Sequence, residues 1–162
     1  MNKNDFAKTP PMGWNSWDCY GASITEKELK QNADYMAEHL KKYGWEYIIC
    51  DIQWYEPTAD SSHYHKFADL CMDEYGRLIP AENRFPSAAG GKGFREIADY
   101  IHGKGLKFGI HIMRGIPRQA VAKNVTIKGT SYTARQVAHP ASICCWNSDM
   151  YGVDSTQPGA QE

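Results

Sequence analysis

Apolar residues recur at helical spacing after residue 25. Leu29, Ala33, Met36, Leu40 and Tyr43 follow one another at alternating intervals of four and three, which places them on one stripe of a helix. The preceding Thr25-Glu26-Lys27-Glu28 has the form of a capping box, in which the Thr25 hydroxyl and the Glu28 carboxylate satisfy backbone N–H groups that open a helix. Lys41 and Lys42 stand where the helix dipole favours cations, and Gly44 ends the pattern. The next run, Trp45-Glu46-Tyr47-Ile48-Ile49-Cys50-Asp51-Ile52-Gln53-Trp54, is apolar, β-branched and aromatic. Such a run suits a strand buried on both faces of a parallel sheet, with Asp51 near its C-terminal end.

The same grammar returns further along. Phe94, Ile97, Ala98 and Ile101 form a second helical stripe, Gly103 and Gly105 end it, and Leu106-Lys107-Phe108-Gly109-Ile110-His111-Ile112-Met113 again reads as a strand. Met12-Gly13-Trp14-Asn15-Ser16-Trp17 serves as a short opening strand. The order β, α, β, α, β predicts an α/β fold with a parallel sheet. Long loops follow the second and third strands, and strand C-terminal ends are where α/β folds put their binding sites. Near residue 162, Ser155-Thr156-Gln157-Pro158 resembles a helix start, as if the chain stopped at its next helix. Three strands and two helices cannot close an eight-stranded barrel, which takes about 250 residues. The chain is therefore one domain or part of one: a portion of a larger barrel, about its first three strands, or a small open α/β domain.

Composition narrows the function classes. Acidic and basic residues are intermixed with a formal net charge of −1, so no basic face is expected to attract nucleic acid or anionic membranes. Residues 1–9 are polar and no long apolar run occurs, which predicts a cytoplasmic protein. Five cysteines, Cys19, Cys50, Cys71, Cys144 and Cys145, match neither a disulfide framework nor paired metal knuckles, so reduced thiols are expected. His63, His65, Cys71, His102 and His111 include no pair with strong zinc-ligand spacing, and no metal is assigned. There is no nucleophile elbow, phosphate loop or dinucleotide fingerprint; Gly90-Gly91-Lys92-Gly93 reads as a loop leading into a helix.

Trp14, Trp17 and Trp54, with Tyr55, concentrate aromatic rings at strand tips. Flat rings can pack against the C–H face of a sugar, although tryptophan is also a common core residue. Asp51 at the edge of a buried strand needs partners to offset desolvation, and serves either a ligand or a loop. His111 and Arg114 hold the equivalent place after the third strand. Glu56, Asp60, Asp73 and Glu74 are expected to be solvated loop carboxylates.

Thr9-Pro10-Pro11-Met12-Gly13-Trp14-Asn15-Ser16-Trp17 is similar to the opening motif of glycoside hydrolase family 27, the α-galactosidases or melibiases. Cys50-Asp51, Gly76-Arg77-Leu78, Asn83-Arg84-Phe85-Pro86 and the segment 102–110 extend the resemblance over nearly the whole chain. The resemblance implies the N-terminal portion, β1 to β3, of a (β/α)8 TIM barrel spanning 1–162. It further implies a retaining exo-glycosidase acting on galacto-configured terminal sugars without a cofactor. Trp17 then borders the sugar and Asp51 accepts hydrogen bonds from its hydroxyls. Ile52, Trp54, His111 and Arg114 complete the expected substrate-binding set. Retaining enzymes use two carboxylates about 5 Å apart. The family nucleophile lies in a Lys-x-Asp motif absent up to Glu162, so both catalytic carboxylates are expected beyond it.

Ile52 departs from the Asp-Asp pair typical of α-galactosidases, whose second aspartate helps to hold the galactose hydroxymethyl. β-L-Arabinopyranose keeps the ring configuration but lacks that group, so isoleucine can fill the space. The runs 51–57 and 112–119 resemble the β-L-arabinopyranosidase branch. Alternatives are an α-D-galactosidase, and a carbohydrate-binding module without catalysis.

Overall fold

The computed structural model describes residue 5 and residues 9–162; the rest of the polar N-terminal segment lies outside the described residues. Three short parallel strands, β1 (Gly13–Asn15), β2 (Tyr47–Cys50) and β3 (Lys107–Ile110), form a sheet in the order β1-β2-β3. Trp14 pairs with Ile48, and Ile48 with Phe108, so the three C-terminal ends lie side by side. A one-turn helix α1 (Trp17–Tyr20) follows β1, α2 (Glu26–Tyr35) connects β1 to β2, and α3 (Arg95–Gly103) connects β2 to β3. The alternating α/β order is thus present, as a three-stranded open sheet without barrel closure. No helix among the described residues is long and apolar enough to cross a membrane.

The capping box opens α2 as the sequence predicts: Thr25 Oγ1 accepts from the Glu28 N–H, and Glu28 Oε2 accepts from the Thr25 N–H at 2.9 Å. Leu29, Ala33 and Met36 are buried, and with Ile48, Ile97 and Ile101 they form the core between the helices and the sheet. Tyr43 is 67% exposed, contrary to the helical stripe. The helix widens to a π turn at Met36–Leu40 and tightens to a 3-10 turn at Lys41–Tyr43, which breaks the 3.6-residue phase. Gly44 then reverses the chain at φ 92°, a left-handed conformation that suits glycine. Across the two helices, Asp34 accepts a hydrogen bond from the Tyr100 hydroxyl at 2.7 Å and pairs with Lys104 at 2.6 Å.

The expected long strand at 45–54 is only four residues long. Asp51 Oδ1 accepts from the Ile52 N–H at 2.7 Å, and Gln53 adopts φ 62°, so the chain leaves the sheet directly after Cys50. The loop that follows is organised around Arg84. Its buried guanidinium donates to the carbonyls of Gln53, Glu56, Ala22 and Ile24 at 2.5 to 2.8 Å, joining the loops after β1 and β2. Gly90 and Gly91 close a 3-10 segment, Pro86–Gly91, that leads into α3.

After β3 the chain builds a second, antiparallel sheet from β4 (Ile116–Pro117), β5 (Ala138–Ile143) and β6 (Met150–Val153), in the order β4-β6-β5, with the short helices α4 (Arg118–Lys123) and α5 (Ala134–Val137) beside it. The sequence pattern predicts only a long loop here, because these strands are short and lack an alternating or continuous apolar run. The helix foreseen at 155–158 is instead a turn, in which Asp154 accepts from the Thr156 N–H at 3.0 Å and its hydroxyl at 2.6 Å. The five cysteines are free thiols, and burial pushes that of Cys50 up to about 12.

Replacing Ile97, which is fully buried, with alanine should lower unfolding free energy by about 2 to 5 kcal/mol, whereas Tyr43→Ala should stay within about 0.5 kcal/mol; urea denaturation of both variants checks the contrast. Arg84→Met leaves four buried carbonyls without their donor and should cost at least about 3 kcal/mol. The same denaturation experiment, on a variant of similar side-chain volume, reads that loss.

Candidate functional site

The sheet brings the tips of β1, β2 and β3 together, and the residues just beyond them line one open cleft. Ser16, one residue past β1, donates its N–H to the Ile49 carbonyl at 3.1 Å and accepts the Asp51 N–H on its hydroxyl at 2.9 Å. His111, one residue past β3, donates its N–H to the Cys50 carbonyl at 2.9 Å. Ladder-like bonds therefore continue past the strands and fix Asp51 between its neighbours.

Asp51 is nearly buried, and its Oδ1 lies 2.8 Å from His111 Nδ1 while also accepting the Ile52 N–H. A carboxylate oxygen can only accept, so Nδ1 carries the proton. Among the described residues, Asp51 Oδ2 and His111 Nε2 have no hydrogen-bond partner from the protein. The pair thus offers acceptor capacity to a ligand's hydroxyl groups.

Around this pair, the cleft is walled by Trp17, Ile52, Tyr64 and Trp146 and encloses about 390 Å3, within the roughly 300 to 1,000 Å3 common for small-molecule sites. Trp17 and Tyr64 stack with ring centres 5.8 Å apart and planes 16° from parallel, and Tyr64 leans on Trp146 at 5.1 Å. Trp17 is 38% and Trp146 58% exposed, so both rings remain partly accessible to solvent. The arrangement combines apolar flat surfaces with one buried carboxylate, a chemistry matched to a molecule with a C–H face and several hydroxyls. Another hollow of about 300 Å3, between Tyr75, Ile116 and Val137, lies away from the tips of the parallel strands.

Of the six residues singled out from the sequence, the structure brings Trp17, Asp51, Ile52 and His111 to this cleft. Trp54 and Arg114 do not line it. Trp54 is buried beneath, edge-on to Tyr55 and Phe94, and its indole N–H donates to the His111 carbonyl at 3.0 Å. It supports the cleft through the backbone instead of facing a ligand. Arg114 is exposed, and the chain turns at Gly115, φ 100°, into β4. Ile52 belongs to the core and also forms part of the cleft wall.

Tyr64 and Trp146 were missed by sequence reasoning. They come from long connections after β2 and β3, far from the strand tips in sequence, and the one available signal was an aromatic residue in a polar loop. Glu56, expected to be solvated, is fully buried, with Oε1 facing His65 Nδ1 at 2.6 Å.

Residues 9–157 match the family profile described as alpha galactosidase A, Melibiase_2. An α-galactosidase of Cyamopsis tetragonoloba is 36% identical over 112 residues, covering 68% of this chain and 23% of that protein. The crystal structure of a glycoside hydrolase family 27 β-L-arabinopyranosidase from Geobacillus stearothermophilus is 68% identical, with a TM-score of 0.95 over 97% of this chain and 36% of that one. A variant of that enzyme in complex with arabinose is 67% identical, with a TM-score of 0.96 over 99% of this chain and 37% of that one. The chain thus spans about a quarter of the curated α-galactosidase and about a third of the solved arabinopyranosidase, and corresponds to the N-terminal third of such enzymes. With the profile matching residues 9–157, nearly the whole of this chain, the chain belongs to glycoside hydrolase family 27, the melibiase family.

Proposed function

We propose that this chain is the front portion of a (β/α)8 catalytic domain of a retaining exo-glycosidase whose preferred substrates are terminal β-L-arabinopyranosides. Asp51 and His111 engage the ring hydroxyls, Trp17 borders the sugar, and Ile52 occupies the space that a hydroxymethyl would need. The nucleophile and the acid/base carboxylate come from the remainder of the barrel, following residue 162. Carboxylates and water suffice for the chemistry, and no cofactor enters it. We place the protein in the cytoplasm, a setting compatible with its free thiols.

The observation that carries the substrate assignment is Ile52 on the cleft wall beside Asp51. A galactoside presents its hydroxymethyl to this apolar wall and loses a hydrogen bond there, at a cost of about 1 to 3 kcal/mol. An arabinopyranoside presents only a methylene and gains apolar contact. The family 27 enzyme of Geobacillus, which is named a β-L-arabinopyranosidase and has been solved with arabinose, supports the same reading. The identity to α-galactosidases such as that of Cyamopsis favours α-D-galactosides as the second reading.

Both readings are tested by assaying the full-length enzyme on aryl β-L-arabinopyranoside and aryl α-D-galactopyranoside. The arabinoside should be preferred by roughly ten- to two-hundredfold in kcat/KM, and Ile52→Asp should shift the ratio toward the galactoside. Release from neither substrate removes the glycosidase assignment. A preference for the galactoside removes only the part assigned to Ile52.

A further inference from the structure

On the long loop after β2, outside the cleft, three side chains converge. Asp60 Oδ2 lies 3.0 Å from His65 Nε2 and 3.6 Å from His63 Nδ1. One ligand atom from each residue can be chosen so that all three lie within 4.8 Å of one another. Tetrahedral zinc, with ligands at about 2.0 to 2.1 Å, spaces those ligands about 3.3 Å apart. Two edges of the triangle already have nearly that length. The other carboxylate oxygen, Asp60 Oδ1, accepts from the N–H groups of Ser62 and His63 at 2.7 and 3.0 Å; the Ser62 hydroxyl stands 2.9 Å from Oδ1 and 2.8 Å from His63 Nδ1, and must release Nδ1 for that nitrogen to ligate an ion. Oδ2 is thereby left to the imidazoles.

A second observation comes from behind the cluster. Glu56 is fully buried, its Oε1 is 2.6 Å from His65 Nδ1, and its Oε2 has no hydrogen-bond partner among the described residues. Arg84 close by opposes the charge of this buried carboxylate, and the Thr58 hydroxyl also donates to Oε1 at 3.0 Å, while Oε2 keeps unused acceptor capacity. The placement of Glu56 is the one that orients a metal-ligating histidine: the carboxylate accepts a hydrogen bond from Nδ1–H, which leaves Nε2 as a lone-pair donor.

We propose that Asp60, His63 and His65 bind a divalent transition-metal ion of the zinc class, with water completing the coordination and Glu56 fixing the tautomer of His65. Mixed imidazole and carboxylate donors suit such an ion better than calcium or magnesium, which take oxygen ligands. Tyr64 lies between the two histidines in sequence and stacks on Trp17. An ion held here therefore braces the loop that supplies one wall of the cleft, in a structural role that does not depend on which sugar is bound.

The test is calorimetric titration of the full chain with Zn2+ alone, together with visible absorption on adding Co2+. One ion should bind per chain, and bound Co2+ should show ligand-field bands without thiolate charge transfer. A double variant, His63→Ala with His65→Ala, should abolish saturable binding, and Asp60→Asn should weaken it if the double variant fails to fold. Glu56→Gln should weaken affinity about ten- to a hundredfold. His102→Ala, at an exposed histidine on α3, should leave it unchanged. Absence of saturable binding, binding retained by folded ligand variants, or a thiolate signature pointing to the cysteines would each overturn the proposal. In the first case a proton on His65 bridges the two carboxylates instead.

Discussion

The site depends on a buried guanidinium. Arg84 gathers four backbone carbonyls from two loops that leave adjacent parallel strands, and so ties the loop after β1 to the loop after β2. Loops at strand tips lack the ladder bonds that hold the sheet, and buried carbonyls without donors are unfavourable. A planar guanidinium with five N–H donors can satisfy several carbonyls at once, which a lysine cannot match in the same geometry. The charge leaves water in the process, and burial lowers its pKa. Glu56, buried close by, contributes the opposing charge. With these loops fixed, Asp51 and Ile52 are presented at the cleft at the level where β1 and β3 end.

The parallel sheet supplies the second half of the constraint. The registers across β1, β2 and β3 bring Asp51 level with His111 and one step beyond Ser16, and the Ser16 hydroxyl and the His111 imidazole hold Asp51 from both sides. Trp54 adds a support from below by engaging the His111 carbonyl. The shape of this cleft therefore rests on backbone geometry more than on any one side chain, and the strand tips that frame it follow from the pattern of strands.

Much of the parallel unit was legible in the sequence, because its signals are local. The capping box at Thr25, the stripe through Leu29 and Ala33, and the glycine stop at Gly44 each report on neighbouring residues. Tyr43 was misplaced because a π turn changes the helical phase, and no local residue pattern announces it. The antiparallel sheet was missed for a related reason. Its strands are short and carry proline, glycine and serine, and their pairing joins residues 116–117 and 138–143 to 150–153. In the site, Trp17, Asp51 and His111 are legible as strand-tip residues, and Ile52 only through the resemblance to family 27. Tyr64 and Trp146 reach the cleft only through tertiary contacts, and Arg114 fell outside because Gly115 turns the chain away.

The central claim is that Asp51, His111 and Ile52 together read the ring of a pyranose that lacks a hydroxymethyl group. A crystal structure of the full-length enzyme soaked with L-arabinose tests it most directly. The account predicts the sugar on Trp17, with a hydroxyl donating to Asp51 Oδ2 and the ring methylene against Ile52. A pyranose bound elsewhere, or bound here with Asp51 out of hydrogen-bond reach and Ile52 facing solvent, would contradict it.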